Sequence, residues 1–254
     1  MPRIERDDLD RELVLPERVT RVVSLVPSLT EAIAHSAPGL LVGATDWCTH
    51  PADLDVERLR GTKNPDVRRI AELAPDLVVT NKEENRKLDV ERLTAAGVPV
   101  WVTLVEDVPS ALRSLTRLFT AALGRPEPDW LVRARGQLGG PVPEPVASGV
   151  VCVWRDPWMV VGSRNFATDL LARVGVRNVF GEHADRYPKL DLAEITGADL
   201  VVLPDEPYVF GAEDGPEAFP GQQVRLVSGR LLTWYGPSLA EAVPRLREQL
   251  RLAF

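Results

Sequence analysis

The residues of this chain best suited to chemistry are aromatic and polar side chains at the ends of short apolar runs. In the first half they are Ser28 after the run 21–26, Trp47 within Asp46-Trp47-Cys48, Lys63-Asn64, and Asn81-Lys82 opening the stretch Asn81-Lys82-Glu83-Glu84-Asn85. The second half offers Trp154-Arg155-Asp156-Pro157-Trp158, Arg164, then Glu206, Tyr208 and Phe210 within 204–210, and finally Trp234-Tyr235-Gly236. Four of the six tryptophans fall in these stretches, a concentration that suits a flat, partly apolar ligand. Lys63, Arg155 and Arg164 would meet its polar or anionic rim. Taken singly, a loop tryptophan is more often a lid over the core, and 154–158 also reads as a hairpin with Arg155 and Asp156 at its turn. Asp46, Cys48 and His50 stand at i, i+2 and i+4, a weak set from which no metal site is expected.

Recognisable reaction centres are missing. The chain holds no G-x-S-x-G, G-x-x-x-x-G-K-[ST], H-E-x-x-H, C-x-x-C or G-x-G-x-x-G. A binding protein that is not an enzyme is therefore the expectation. The reading from another class is an enzyme using Asp156, Glu206 or His50 as a cleft carboxylate or base.

The 254 residues are 44% hydrophobic and 26% charged, with a net charge of −7. That composition builds a core, argues against nucleic acid as a partner, and leaves no apolar run near the roughly 18 residues of a membrane span. Residues 1–21 are highly charged and lack the apolar segment of a signal peptide. A cytoplasmic location is expected for the chain as written, and a periplasmic or lipid-anchored one if a leader has been removed. The two cysteines, Cys48 and Cys152, say little about the redox compartment.

Short β-rich runs alternating with helical stretches position these residues, so the fold class is α/β. Strands are expected at 21–26, 40–45, 77–80, 98–103, 150–154, 158–161, 200–203 and 224–227. Ser28 with Glu31 reads as a capping box for a helix reaching Ser36, and Asn64-Pro65 as the cap and first residue of a helix through Leu73. Helices are further expected at 88–96, stopped by Gly97, and at 164–174, stopped by Gly175. Residues 109–138 carry Ala111, Leu112, Leu115, Leu118, Phe119 and Ala122 at helical spacing, interrupted by Gly124-Arg125-Pro126. The stretches 66–79 and 191–202 form a weak repeat, ending in Ala-Pro-Asp-Leu-Val-Val and Gly-Ala-Asp-Leu-Val-Val. Two α/β lobes are expected, an N-terminal one over 1–107 and a C-terminal one over 141–254, with a helical connector at 108–140.

Residues Arg21-Val22-Val23-Ser24-Leu25-Val26-Pro27-Ser28-Leu29-Thr30-Glu31 resemble the opening of the class III substrate-binding proteins of ABC importers, the helical-backbone metal receptors. Val42-Gly43-Ala44-Thr45-Asp46, Gly61-Thr62 with Asn64-Pro65, and Ala74-Pro75-Asp76-Leu77-Val78-Val79 follow at similar spacings, and the branch that binds cobalamin looks closest. The resemblance implies two lobes with central, mostly parallel sheets, joined by a rigid backbone helix, with the ligand in a cleft between them. It implies a monomer without an intrinsic cofactor that binds a metal chelate: cobalamin or a related corrinoid first, a ferric siderophore or haem as the alternative. It also implies docking onto an ABC permease through a Glu on each lobe. Glu194 matches that position on the second lobe, whereas Arg68 reverses the charge on the first.

Overall fold

The computed structural model describes residues 1–195 and 197–252. Contacts divide the chain into two compact units. Unit 1 comprises Met1–Val105, Ser110–Val132 and Tyr235–Pro237, and unit 2 comprises Glu106–Pro109, Arg133–Trp234 and Ser238–Phe254.

Unit 1 opens with an antiparallel hairpin, β1 (Arg3–Arg6) and β2 (Glu12–Leu15). Then come β3 (Val22–Ser24), α1 (Pro27–Ser36), β4 (Leu41–Ala44), β5 (Glu57–Arg58), the small hairpin β6 (Arg60–Gly61) and β7 (Asn64–Pro65), and α2 (Val67–Glu72). The unit continues with β8 (Leu77–Asn81), α3 (Lys87–Ala95) and β9 (Val100–Thr103). Its main sheet runs β5-β4-β3-β8-β9, parallel throughout. Strands β3, β8 and β9 are buried at every residue, as a sheet covered on both faces requires.

The helical stretch that follows β9 along the chain is α4 (Val108–Arg117) running into a π-helical turn at Leu118–Ala122, followed after a break by α5 (Asp129–Leu138). Its six periodic apolar residues, Ala111 through Ala122, are all buried. Residues of the expected connector are shared between the units, Ser110–Val132 falling in unit 1 and the chain from Arg133 in unit 2.

Unit 2 contains β10 (Ala147–Trp154), β11 (Met159–Val160), α6 (Phe166–Val174), β12 (Val176–Asn178), β13 (Leu200–Pro204), β14 (Val224–Val227), α7 (Gly229–Thr233) and α8 (Ala242–Leu250). The order is β11-β10-β13-β14, with β12 also pairing β10, and only β11 is antiparallel.

Local chemistry shifts several boundaries. No side chain caps α1: its N-cap is Val26, Pro27 takes the first turn, and Ser28 sits inside the helix, so the expected box with Glu31 does not form. Asn64 and Pro65 form β7, and the cap of α2 is Asp66, whose carboxylate accepts from Arg69 N at 3.1 Å. Gly97 and Gly175 follow their helices at φ of 79° and 101°, where a Cβ would be strained.

Candidate functional site

In an open parallel sheet, ligands lie beyond the carboxyl ends of the strands, where the chain order reverses. In unit 1 that point is at β3 and β8, because β4 follows β3 on one side and β8 flanks it on the other. Asn85 ties the region together. Its amide donates to Leu25 O (3.1 Å) and Thr62 O (3.0 Å), and its side-chain oxygen accepts from Asn81 N at 2.8 Å. Asn81, 3% exposed, accepts from Glu83 N at 2.8 Å and donates to Thr103 Oγ1 at 3.1 Å. These asparagines shape the loop, so the expectation that Asn81 contacts ligand gives way to a structural role. Sequence reasoning passed over Asn85, although an Asn four residues after another at a strand end is a turn signal.

The segment 235–237 lies on the same strand ends. Tyr235 is 6% exposed and its hydroxyl donates to Glu84 Oε1 at 3.1 Å, and a Cβ on Gly236 would stand 3.0 Å from Ser28 O. Burial, then the charge of Glu84, pushes the Tyr235 phenol well above its usual range. Tyr235 and Ser28, 3% exposed, are thus packed together instead of forming an open wall.

Trp47 differs. The residue is 67% exposed after β4, with the indole nitrogen against Gly61, where a Cβ would stand 3.3 Å away. Lys63 donates to Glu83 O at 2.5 Å, while Asn64 and Lys82 are exposed. Cys48, next to Trp47, is buried; the Thr30 hydroxyl donates to its sulfur at 3.0 Å, and burial raises its thiol pKa.

In unit 2 the reversal lies between β10 and β13. Trp154, 43% exposed, ends β10 with its ring edge-on to Tyr208 at 5.6 Å between centroids. The Tyr208 hydroxyl donates to Asp214 Oδ2 at 2.7 Å. Arg155 donates to Asp214 Oδ1 and, at 2.7 Å, to Glu217 Oε1. The guanidinium expected to donate to the ligand's edge is thus engaged by two carboxylates of its own unit.

Trp158 and Phe210 are corrected likewise. They are 7% and 4% exposed, stack at 5.8 Å with ring planes 5° apart, and Phe219 meets Trp158 edge-on at 5.0 Å. The reason is the hairpin alternative: β11 returns antiparallel onto β10, turning Trp158 into the core of unit 2. Trp234 is 7% exposed and donates its indole N–H to Glu206 Oε2 at 3.0 Å, so neither side chain stands open as a wall. Arg164 is exposed at φ 48°, its guanidinium 3.5 Å from Ala184 O. The candidate aromatic surface reduces to Trp47 in unit 1 and Trp154 with Tyr208 in unit 2.

The positions expected at a permease are both exposed. Glu194 Oε2 accepts from Asp191 N at 2.8 Å in a capping box, and Arg68 lies 3.7 Å from Glu72.

No protein-family model matches the chain. It is 24% identical to the vitamin B12-binding protein of Vibrio parahaemolyticus over 211 residues, which is 74% of this chain and 70% of that protein. The match to the vitamin B12-binding protein of Salmonella paratyphi A is 33% identical over 113 residues, 43% of this chain and 40% of that one. Among solved structures, the periplasmic vitamin B12 binding protein BtuF of Vibrio cholerae superposes with a TM-score of 0.73 at 17% identity, covering 93% of this chain and 98% of that chain. The periplasmic heme-binding protein BhuT, solved with two hemes, gives a TM-score of 0.73 at 24% identity over 91% and 97%.

Both of these solved structures are of proteins named as periplasmic, which overturns the expected cytoplasmic location. Most of the charged residues that prompted that expectation belong to the β1–β2 hairpin. Asp7, in its turn, accepts from Leu9 N, Arg11 N and Val102 N, so this charge serves the fold. The chain has the fold of the class III periplasmic binding proteins of ABC importers, and its sequence is similar to proteins named vitamin B12-binding protein.

Proposed function

We propose that this protein binds a metal chelate, cobalamin or a related corrinoid first, as the substrate-binding component of an importer. The observation that carries the reading is the half-exposed indole of Trp154, held edge-on by Tyr208 at the strand reversal of unit 2. An apolar plate fixed at that place suits a macrocycle edge. The names of the sequence relatives support the choice of cobalamin, and Trp47 offers a second exposed ring on unit 1. The relatives are binding proteins, in keeping with a role without catalysis. Haem is the second reading, supported by the likeness to BhuT.

Isothermal titration with cyanocobalamin, haem and a ferric siderophore tests the reading. Saturable one-to-one binding of cyanocobalamin, tighter than of the other two, is expected. Tighter binding of haem or the siderophore transfers the function to that ligand, and heat of dilution alone from all three ends it.

A further inference from the structure

We propose that the aromatic end of unit 2 favours neutral or cationic chelates over anionic ones, because Arg155 is already held by two carboxylates of its own unit. This rests on the chelate-binding function proposed above. The groups form one connected chain: Trp154 against Tyr208, Tyr208 on Asp214, Asp214 on Arg155, and Arg155 on Glu217. Glu217 is fixed further by Gly215 N, 2.5 Å from Oε2. One positive charge thus faces two negative ones, and Asp156 brings a third carboxylate to 3.7 Å from Arg155 Nε.

The guanidinium is not free to turn outward. Its carbon lies 5.3 Å from the Trp158 ring centroid, and the Arg155 side chain is 22% exposed. A ligand carboxylate or catecholate arriving at Trp154 would have to break two charge-assisted hydrogen bonds to reach it. Otherwise it meets a net negative field. Both acids are ionised at neutral pH: the Tyr208 hydroxyl, with Arg155, holds Asp214 below the usual carboxylate range, and Arg155 does the same for Glu217. Amide edges or a cationic metal centre meet no such penalty.

Two measurements test the proposal, the first without a chelate. In a Trp47→Phe background Trp154 is the exposed indole, since Trp101, Trp130, Trp158 and Trp234 are 7% exposed or less. Caesium should quench its fluorescence more than iodide does, each referred to N-acetyltryptophanamide at equal ionic strength. Glu217→Gln keeps an oxygen for Arg155 and removes one charge, so iodide quenching should rise about twofold. A Trp47→Phe/Trp154→Phe variant identifies the signal. In the second measurement, affinity should fall in the order aquacobalamin, cyanocobalamin, haem, and Glu217→Gln should narrow the gap between the last two about fivefold. Iodide quenching Trp154 as readily as caesium, or haem affinity equal to that of cyanocobalamin, overturns the proposal and leaves chelate binding standing. Caesium-selective quenching without binding of any of the three ligands supports charge selection at Trp154 and overturns the chelate reading instead.

Discussion

Two tryptophans four residues apart have opposite fates, and the difference decides which of them a ligand can meet. Trp154 closes β10 half exposed, while Trp158 is buried, stacked on Phe210 and met edge-on by Phe219. Trp158→Ala should therefore lower stability by about 3–5 kcal/mol, the usual cost of emptying an aromatic core position. Chemical denaturation reads this directly, and a loss below 1 kcal/mol would sink the assignment to the core. Trp154→Ala should leave the denaturation midpoint close to that of the parent. It should weaken cyanocobalamin binding by about 2 kcal/mol, roughly 30-fold in Kd, if the ring is a central anchor. The residue types marked this loop as aromatic, but the choice between wall and core needs the hairpin register, which the Asp-Pro turn does not specify. The cysteines make a third test. Cys152, between Val151 and Val153, has its thiol pushed up to about 12 by burial, and Cys48 is raised too. Only the thiolate reacts, so raising the pKa keeps both protonated at pH 8. Neither should be alkylated by iodoacetamide in the folded protein, and both should be in urea; native labelling of Cys152 would contradict its burial.

Among the elements, the internal repeat has a mechanical meaning. Asp76 precedes β8 and accepts from Thr20 N, Thr20 Oγ1 and Arg21 N at 2.7–2.9 Å. Asp199 precedes β13 and accepts from Ser148 N and Ser148 Oγ, both at 2.7 Å. In each unit the aspartate of the Asp-Leu-Val-Val run thus clamps the start of the neighbouring parallel strand. Partial burial pushes Asp76 up, but the bonds from Thr20 and Arg21 outweigh it, while the Ser148 bonds lower Asp199 directly. A folded pKa below the unfolded one contributes stability that is present above the unfolded value, near 3.9, and lost as pH falls through the folded one. The Asp76→Asn/Asp199→Asn variant should accordingly be less stable than the parent at pH 7, with the gap closing toward pH 3; a gap that widens in acid contradicts the clamps. The buried strands and the glycine-stopped helices were legible because apolar runs and left-handed caps are local signals. The β1–β2 hairpin was not, since its charges find partners far along the chain: Asp8 meets Ser114 and Arg117, and Arg3 reaches Ala122 O. The cap of α2 was misplaced by two residues because Asn-Pro and Asp-Val both satisfy the helix-start pattern, and only the β6–β7 pairing separates them.

At the scale of the whole molecule, the order of residues along the chain and their membership of a unit do not coincide. Unit 1 completes itself with Tyr235–Pro237, and unit 2 takes Glu106–Pro109 from the middle of the chain. Neither unit is therefore a contiguous piece, which is why two lobes could be expected from the alternating pattern but their membership could not. Tyr235 gives the sharpest test. Its ring is buried in unit 1 and its hydroxyl supplies a hydrogen bond to Glu84, although its chain neighbour Trp234 belongs to unit 2. Tyr235→Ala leaves a cavity and removes that donor from the carboxylate, a combined cost of about 3–5 kcal/mol. Tyr235→Phe removes the bond alone and should cost about 1–2 kcal/mol. Native-state amide exchange locates the damage, because local openings are read segment by segment. In Tyr235→Ala, protection should fall first in β3, the first turn of α1, and the loop holding Glu84, which is 151 positions away in sequence. Protection lost first in α7 and α8 instead, with β3 and β8 unchanged, would place Tyr235 in the wrong unit and remove the packed cover from the strand ends of unit 1.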